Sequence, residues 1–215
     1  MAFAVGSLPM EPFDVKLDSA AFVIVDMQND FVRVGAPLEV PDARVTINPI
    51  KAVLGKFREA GRPVVFTRFL ATPRETLVWK WSPQLAPPTN CCRKGFRRTY
   101  SDIEAERECV AVIDELAPLA GEYIVDKYGY GAFFRTNLED ILRAERVDTV
   151  VVCGTVTQIC VEETARESFH HGFKTLVLSD GVSSFDSELQ HAMLKNFAMK
   201  FGAVMDSSRF LSIVA

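Results

Sequence analysis

Three side chains able to carry out acid–base and nucleophilic chemistry follow apolar segments at separate points along the sequence. Asp26 ends one apolar run, Lys127 ends another, and Cys160 follows a third across the turn at 154–157. A buried, unpaired carboxylate or ammonium is costly, so the simplest arrangement is that Asp26 and Lys127 meet. Either charge alone is more simply explained as a solvated strand end. The presence of all three favours a catalytic site.

Cys160 has the sequence surroundings of a nucleophilic cysteine. Thr157 is a suitable N-cap, and Glu162 and Glu163 fall in the first turn of a predicted helix. We therefore expect free backbone N–H groups and the helix dipole to favour a Cys160 thiolate. A buried, inert thiol is the alternative, and Cys153, within the run TVVVC, fits that alternative better.

Short apolar segments alternate with amphipathic ones along the rest of the chain. The apolar segments predict six strands: Ala21–Asp26, Arg62–Thr67, Tyr123–Asp126, Thr149–Cys153, Thr175–Ser179 and Ala203–Met205. The amphipathic segments predict helices near Ala43–Ala60, Ser101–Leu116, Asn137–Ala144, Thr157–Gly172 and Ser187–Gly202. Continuously apolar strands are typical of parallel sheets covered on both faces. The sequence thus predicts an α/β fold, a three-layer α/β/α doubly wound, mostly parallel six-stranded sheet, whose carboxyl edge gathers the reactive side chains.

The predicted organisation is one domain with two appended features. Residues 18–215 form the domain, and residues 1–17 form an N-terminal arm that we expect to pack on a neighbouring subunit. The Pro- and Trp-containing segment 71–100 is predicted to be a loop that covers a site or meets a partner subunit, with an ordinary ordered insertion as the alternative.

Composition excludes several classes of protein. The 215-residue chain has a net charge of −4, which gives no basic surface for nucleic acid, and no apolar run approaches the roughly 20 residues of a membrane span. We expect a cytoplasmic protein that binds neither nucleic acid nor membrane. Five cysteines without a secretion signal argue against a disulfide framework. We expect no structural zinc site, because Cys91 and Cys92 are adjacent and the histidines all occur late in the chain.

Three motifs connect the chain to a known family. They are VDMQNDF at Val25–Phe31, DKYGYGAFF at Asp126–Phe134 and CGTVTQICVEETARESFHHGF at Cys153–Phe173. On these motifs the sequence resembles the isochorismatase-like cysteine hydrolases, from about Asp18 to Met205. That family includes nicotinamidases, N-carbamoylsarcosine amidohydrolases and biuret or ureidoacrylate hydrolases.

The resemblance implies an Asp–Lys–Cys triad, which Asp26, Lys127 and Cys160 match. It also implies a non-prolyl cis peptide at Thr155–Val156, with the N–H groups of Val156 and Cys160 forming an oxyanion hole. The implied reaction is hydrolysis of a carbon–nitrogen bond through a cysteine thioester, with release of ammonia or an amine.

The resemblance also bears on metal, cofactor and assembly. Nicotinamidases of the family hold a metal with an Asp and several histidines after the second strand, whereas this chain reads TRFL at 67–70 and has no histidine before His170. We therefore expect no metal, no cofactor and a small amide or ureido substrate, with the biuret and ureido branch nearest. The family implies a homodimer or homotetramer.

Candidate substrate contacts lie near the strand ends and in the covering segment: Phe31, Arg68, Trp79, Trp81, Phe133, Phe134 and Gln190. The phenylalanines could form apolar walls or belong to the core. Arg68 could pair with a substrate carboxylate or be solvated, Gln190 could bind an amide or ureido group, and the tryptophans could close over the site.

Three other functions stay open from the sequence. A vinyl-ether hydrolase of the isochorismatase type would not need Cys160. A catalytically silent scaffold has no evident reason to keep all three strand-end groups. A redox sensor would require Cys91 or Cys92 to fold over Cys160 as a resolving thiol.

Overall fold

A six-stranded parallel sheet forms the centre of the molecule in the computed structural model, which describes residues 13–214. The strands are β1 Ala20–Val25, β2 Val64–Phe69, β3 Arg97–Tyr100, β4 Ala105–Glu108, β5 Tyr123–Lys127, β6 Thr149–Thr155, β7 Lys174–Ser183 and β8 Ala203–Met205. The helices are α1 Asn29–Val32, α2 Ile47–Glu59, α3 Leu77–Trp81, α4 Leu138–Ala144, α5 Glu162–His170, α6 Ser187–Lys200 and α7 Ser207–Ile213. The sheet order is β5-β2-β1-β6-β7-β8, while β3 and β4 form a separate antiparallel hairpin. The predicted α/β fold is confirmed.

Helices cover both faces of the sheet, which explains why its strands are apolar throughout. On β1, Phe22 and Ile24 belong to one apolar cluster, together with Phe57 of α2 and Phe210 of α7. The alternate residues Ala21, Val23 and Val25 belong to a second cluster, which includes side chains of α4, α5 and α6. Each strand residue therefore faces one of two buried layers, as the pattern of a doubly covered parallel sheet requires. None of the helices within 13–214 is long and apolar enough to cross a bilayer.

The helix predicted at Ser101–Leu116 is wrong. This segment forms β4, an irregular stretch and a short 3-10 turn at Asp114–Leu116. Its Ala, Glu and Arg residues favour helix locally, but its carbonyl groups are used elsewhere: Cys109 and Ala111 accept hydrogen bonds from the backbone N–H groups of Asp30 and Asn29. Tertiary pairing overrides the local helix propensity.

The segment 71–100 is not structureless. It contains α3, a 3-10 turn at Pro83–Leu85 and strand β3. Most of the predicted arm, residues 1–12, lies outside the described residues. Its final part packs on the domain itself, where Val15 is buried and Phe13 and Leu17 contact the same apolar cluster.

Candidate active site

Asp26, Lys127 and Cys160 come together at the carboxyl edge of the sheet. Asp26 directly follows β1, Lys127 is the last residue of β5, and Cys160 lies in a π-helical turn, Thr157–Val161, after β6. Lys127 Nζ is 2.7 Å from Asp26 Oδ2, and both side chains are fully buried. The thiol of Cys160 interacts with both charged groups.

The Asp26 carboxylate is hydrogen-bonded to Thr67 through one oxygen and paired with Lys127 through the other. Thr67 on β2 donates a hydrogen bond from Oγ1 to Asp26 Oδ1 over 2.6 Å, and the same hydroxyl accepts one from the Asp26 backbone N–H. Oδ2 faces Lys127 but has no aligned hydrogen-bond donor within residues 13–214. The backbone of Asp26 has φ +49°, a left-handed conformation that is uncommon outside glycine and that functional sites often contain. Within residues 13–214, Oδ2 is thus paired with the Lys127 ammonium alone, whereas Oδ1 is hydrogen-bonded to Thr67.

Lys127 keeps its charge although it is buried. Burial alone would lower the pKa of Lys127, but the negative charge of Asp26 opposes burial, and the pKa is raised above its ordinary value. Its ammonium also donates to the Gly129 carbonyl oxygen over 3.1 Å and lies 5.3 Å from the centre of the Phe69 ring. A fixed positive charge therefore sits beside both the acid and the thiol.

Cys160 is a neutral thiol at rest, contrary to the expectation of a helix-stabilised thiolate. Burial raises the pKa of Cys160 to about 12; Lys127 acts against this rise and the Asp26 carboxylate adds to it. Thr157 does not cap the following helix, since its hydroxyl contacts Gln190 instead. Because burial outweighs the nearby ammonium, the thiol needs a base to become nucleophilic, and Asp26 is the adjacent one.

The carboxyl end of β6 approaches β1 closely. Gly154 has φ +112°, and a Cβ atom there would lie 2.0 Å from the carbonyl oxygen of Val25. Only glycine fits this contact, which brings the end of β6 beside the residue preceding Asp26. The Thr155–Val156 peptide bond that follows is cis.

A cleft of about 440 Å³ is lined by Trp81, Tyr130, Gln158, Ile159 and Glu163, of which Ile159 directly precedes Cys160 in the chain. Tyr130 connects the cleft to the reactive groups. Burial raises the pKa of Tyr130, the nearby Cys160 adds to the rise and Lys127 opposes it. The Tyr130 ring also stacks on Phe69, with centroids 6.3 Å apart. Tyr130 and Ile159 therefore place this cleft on the Cys160 side of the sheet edge.

The two polar residues predicted to bind substrate are engaged by the protein. Arg68 lies within β2 and forms a two-point ion pair with Asp126, at 2.7 and 3.0 Å. Gln190 accepts from Thr157 and donates to the Val182 carbonyl oxygen. Neither lines the cleft.

The predicted aromatic contacts divide between the cleft and the core. Trp81 is 82% exposed and lines the cleft, whereas Trp79 packs on the core and donates to Thr72. Phe31 is buried, with its ring centre 6.3 Å from that of Phe69.

The two adjacent phenylalanines differ in surroundings. Phe133 is buried and stacks on His171 at 4.9 Å, while Phe134 is half exposed beside Arg135. Neither lines the cleft.

One group of possible metal ligands lies outside this site. Among the described residues, Asp30, Cys91 and Cys92 place a carboxylate oxygen and two sulfur atoms within 4.8 Å of one another. The carboxylate is already paired with Arg98 and accepts a hydrogen bond from Tyr100. A positive guanidinium beside the group disfavours a further cation.

Several residues of the site were not identified from the sequence. Thr67 ends a predicted strand, but a lone threonine there carries no distinctive signal. Tyr130, Gln158 and Glu163 lie inside the quoted motifs, so the motifs marked their segments without indicating which side chains face the cleft.

Comparison with known proteins gives one consistent group. A family model described as an isochorismatase domain matches residues 20–209. Maleamate amidohydrolase from Pseudomonas putida is 29% identical, covering 86% of this chain and 82% of that protein. Ureidoacrylate amidohydrolase RutB from Stutzerimonas stutzeri is 30% identical, covering 93% and 84%. The crystal structure of a cysteine hydrolase from Pseudomonas syringae pv. phaseolicola has a TM-score of 0.84 and 27% identity, covering 95% and 96%.

Proposed function

Because the chain belongs to the isochorismatase domain family, we propose that it hydrolyses a carbon–nitrogen bond in a small amide or ureido compound, with Cys160 as the nucleophile. The observation that carries the proposal is the buried ion pair between Asp26 and Lys127 beside the Cys160 thiol. The names of the relatives, maleamate and ureidoacrylate amidohydrolase, support the reaction class.

The first half of the reaction forms a thioester. Asp26 takes the proton of the Cys160 thiol as the sulfur attacks the substrate carbonyl carbon, and a sulfur–carbon bond forms. The carbonyl oxygen becomes negative and accepts hydrogen bonds from the backbone N–H groups of Val156 and Cys160. When the carbon–nitrogen bond breaks, protonated Asp26 gives its proton to the departing nitrogen, which leaves as ammonia or an amine.

The second half returns the enzyme to its starting state. Asp26 removes a proton from water, the resulting hydroxide attacks the thioester carbon, and the carbon–sulfur bond breaks as the acid product forms. The proton held by Asp26 returns to the sulfur. Lys127 keeps its charge throughout and offsets the negative charge that moves between Asp26 and Cys160. The chain's own residues supply every proton transfer.

Ammonia release tests the proposal. Wild-type protein is assayed on biuret, ureidoacrylate-like compounds, N-carbamoyl amino acids, maleamate and nicotinamide, and acid-quenched samples are examined by mass spectrometry for an acyl group on Cys160. Cys160→Ala should lower turnover by more than about 10³-fold. Cys153→Ala is the matched control because it removes a buried thiol from β6.

Two results would contradict the proposal. Turnover that survives Cys160→Ala would favour vinyl-ether hydrolysis, in which the thiol has no covalent role. If the wild-type protein releases ammonia from none of the compounds in the panel, a non-catalytic function would be favoured.

A further inference from the structure

We infer that Gln158 and Glu163 select substrates that carry a second, neutral carboxamide or ureido group beside the scissile bond, in preference to substrates with a carboxylate there. The inference rests on the proposed amidohydrolase function, because it concerns the remote end of the same substrate.

Gln158 offers an unused donor and an unused acceptor next to the nucleophile. It lies two residues before Cys160 and lines the cleft. Both its side-chain amide atoms, Oε1 and Nε2, are screened from solvent and have no hydrogen-bond partner within residues 13–214. Buried polar atoms are normally paired, so this amide is set to bind something that enters the cleft. Its terminal torsion is soft and can turn the group toward a ligand.

The chemistry of an amide determines what satisfies Gln158. Another amide or ureido group presents an N–H donor to Oε1 and a carbonyl acceptor to Nε2, which completes both bonds at once. A carboxylate only accepts. It would bind Nε2 and leave Oε1 facing a second electron-rich oxygen. The arrangement therefore distinguishes an NH2 group from an oxygen anion of similar size.

Glu163 also favours an amide over a carboxylate in the cleft. Its exposed side chain lines the cleft one helical turn beyond Ile159, and it forms no ion pair within the described part of the chain. A free carboxylate attracts N–H donors and repels an anionic substrate.

Three basic side chains that could otherwise attract a substrate carboxylate are engaged by acids of the chain. Among residues 13–214, none of those that line the cleft is a lysine or an arginine. Lys127 is paired with Asp26, while Arg68 and Lys94 both bind Asp126. A substrate carboxylate would find no free countercharge in the described cleft. This differs from the acids named in the two amidohydrolase relatives, maleamate and ureidoacrylate.

Maleamide and maleamate provide a matched test. Both contain a scissile carboxamide on the same carbon frame, and they differ only in whether the remote group is an amide or a carboxylate. We expect the wild-type kcat/KM for maleamide to exceed that for maleamate by about tenfold or more, since one selective hydrogen bond gives a difference of that order.

Single substitutions should lower this ratio. Gln158→Met removes the amide with little change in shape, and Glu163→Gln removes the charge, so each should reduce the maleamide-to-maleamate ratio by about fivefold or more. Glu59→Gln is the control, because Glu59 is an exposed glutamate that ends α2 just before the amino end of β2. Equal losses on both substrates would show a merely structural role and overturn the inference, as would a wild-type preference for maleamate.

Binding without turnover separates this inference from the proposed function. Calorimetry on Cys160→Ala should show tighter binding of maleamide than of maleamate by about tenfold. If that preference appears while wild-type protein hydrolyses neither compound, the selection stands and the proposed hydrolysis fails. If wild-type protein hydrolyses amides and Cys160→Ala binds both compounds equally, the proposed hydrolysis stands and the inference fails.

Discussion

Asp26 and Asp30 are fully buried carboxylates only four residues apart, yet their surroundings differ. Asp30 is saturated: its Oδ1 pairs with Arg98 and accepts from the Tyr100 hydroxyl, each over 2.8 Å, and its Oδ2 accepts from the Cys92 backbone N–H over 2.8 Å. Asp26 has one oxygen bound to Thr67 and the other beside Lys127 without an aligned donor.

This difference distinguishes a structural carboxylate from a reactive one. The partners of Asp30 belong to β3 and to the segment that precedes it, so this acid joins α1 to the hairpin and the covering segment. These contacts fix the position of the Asp30 carboxylate. Both carboxylates lie near thiols, but Asp26 accepts a hydrogen bond from Thr67 alone among the described side chains and is otherwise paired with the Lys127 ammonium, whereas Asp30 accepts from both Tyr100 and the Cys92 N–H. This smaller set of hydrogen bonds suits Asp26 to exchange a proton with Cys160.

The largest effect should come from removing the base. Asp26→Asn keeps the shape of the side chain and an acceptor for Thr67 but cannot take the thiol proton. We expect kcat to fall by roughly 10³-fold, within the usual range for general base catalysis. The measurement is ammonia release per folded molecule, with circular dichroism to establish that the variant folds. Nearly unchanged turnover would mean that Asp26 is structural, as Asp30 is.

The same substitution at Asp30 should act on stability. Asp30→Asn leaves Arg98 without its countercharge, and we expect the free energy of unfolding to fall by roughly 3 kcal/mol, the scale for breaking a buried ion pair. Turnover per folded molecule should stay within about twofold of wild type, since no contact of Asp30 involves the three reactive residues. Urea unfolding and the ammonia assay measure the two quantities. A large fall in kcat of Asp30→Asn under conditions where the variant is fully folded would contradict the structural role of Asp30.

A double substitution sharpens the contrast further. Asp26→Asn with Lys127→Met removes both charges of the catalytic pair, and replacement of a whole buried ion pair is often neutral or stabilising by about 1–4 kcal/mol. We expect this variant to unfold at the same urea concentration as wild type or a higher one, and to be inactive. Asp30→Asn with Arg98→Met should still lose stability, because Tyr100 and the Cys92 N–H lose a charged acceptor. If the two double variants changed equally in urea stability and in turnover, the distinction between a reactive Asp26 and a structural Asp30 would be lost.

Sequence reasoning succeeded where a residue's position in the strand pattern carried the information. Asp26 and Lys127 were identified because charges at the ends of apolar strands need partners, and the family assigned from the motifs is confirmed by the match over 20–209. The six strands of the sheet were predicted with bounds displaced by a few residues; β2, for example, runs to Phe69 rather than Thr67.

It failed where side chains depend on contacts between distant segments. The helix predicted at Ser101–Leu116 has suitable residues, but its backbone pairs with α1 instead. Gln190 and Gln158 both follow strands on the site's side of the sheet. Only the folded structure shows that the first is bonded to its own protein and the second is left unpaired.

The smallest expected effect concerns two thiols, Cys160 near Asp26 and Cys109 near Asp30. Burial raises the pKa of Cys109 and that of Cys160 to about 12, with Asp30 adding to the rise at Cys109 and Asp26 adding to it at Cys160, where Lys127 opposes it. In the unfolded chain each thiol loses its proton near the ordinary pKa of 9.0, so between pH 9 and 12 the unfolded state releases protons that the folded state retains. Stability contributed by these thiols is therefore complete below pH 9 and is lost as the pH rises toward 12.

Between pH 8 and 10 we expect the free energy of unfolding to fall by an amount on the order of 1 kcal/mol for each thiol. Urea unfolding of wild type, Cys109→Ala and Cys160→Ala across this range should show a shallower decline in each variant, whatever its stability at pH 8. An unchanged decline in Cys160→Ala would mean that folding does not raise the pKa of Cys160. A steeper decline would mean that Cys160 is already a thiolate in the folded protein, and the base assigned to Asp26 would then be unnecessary.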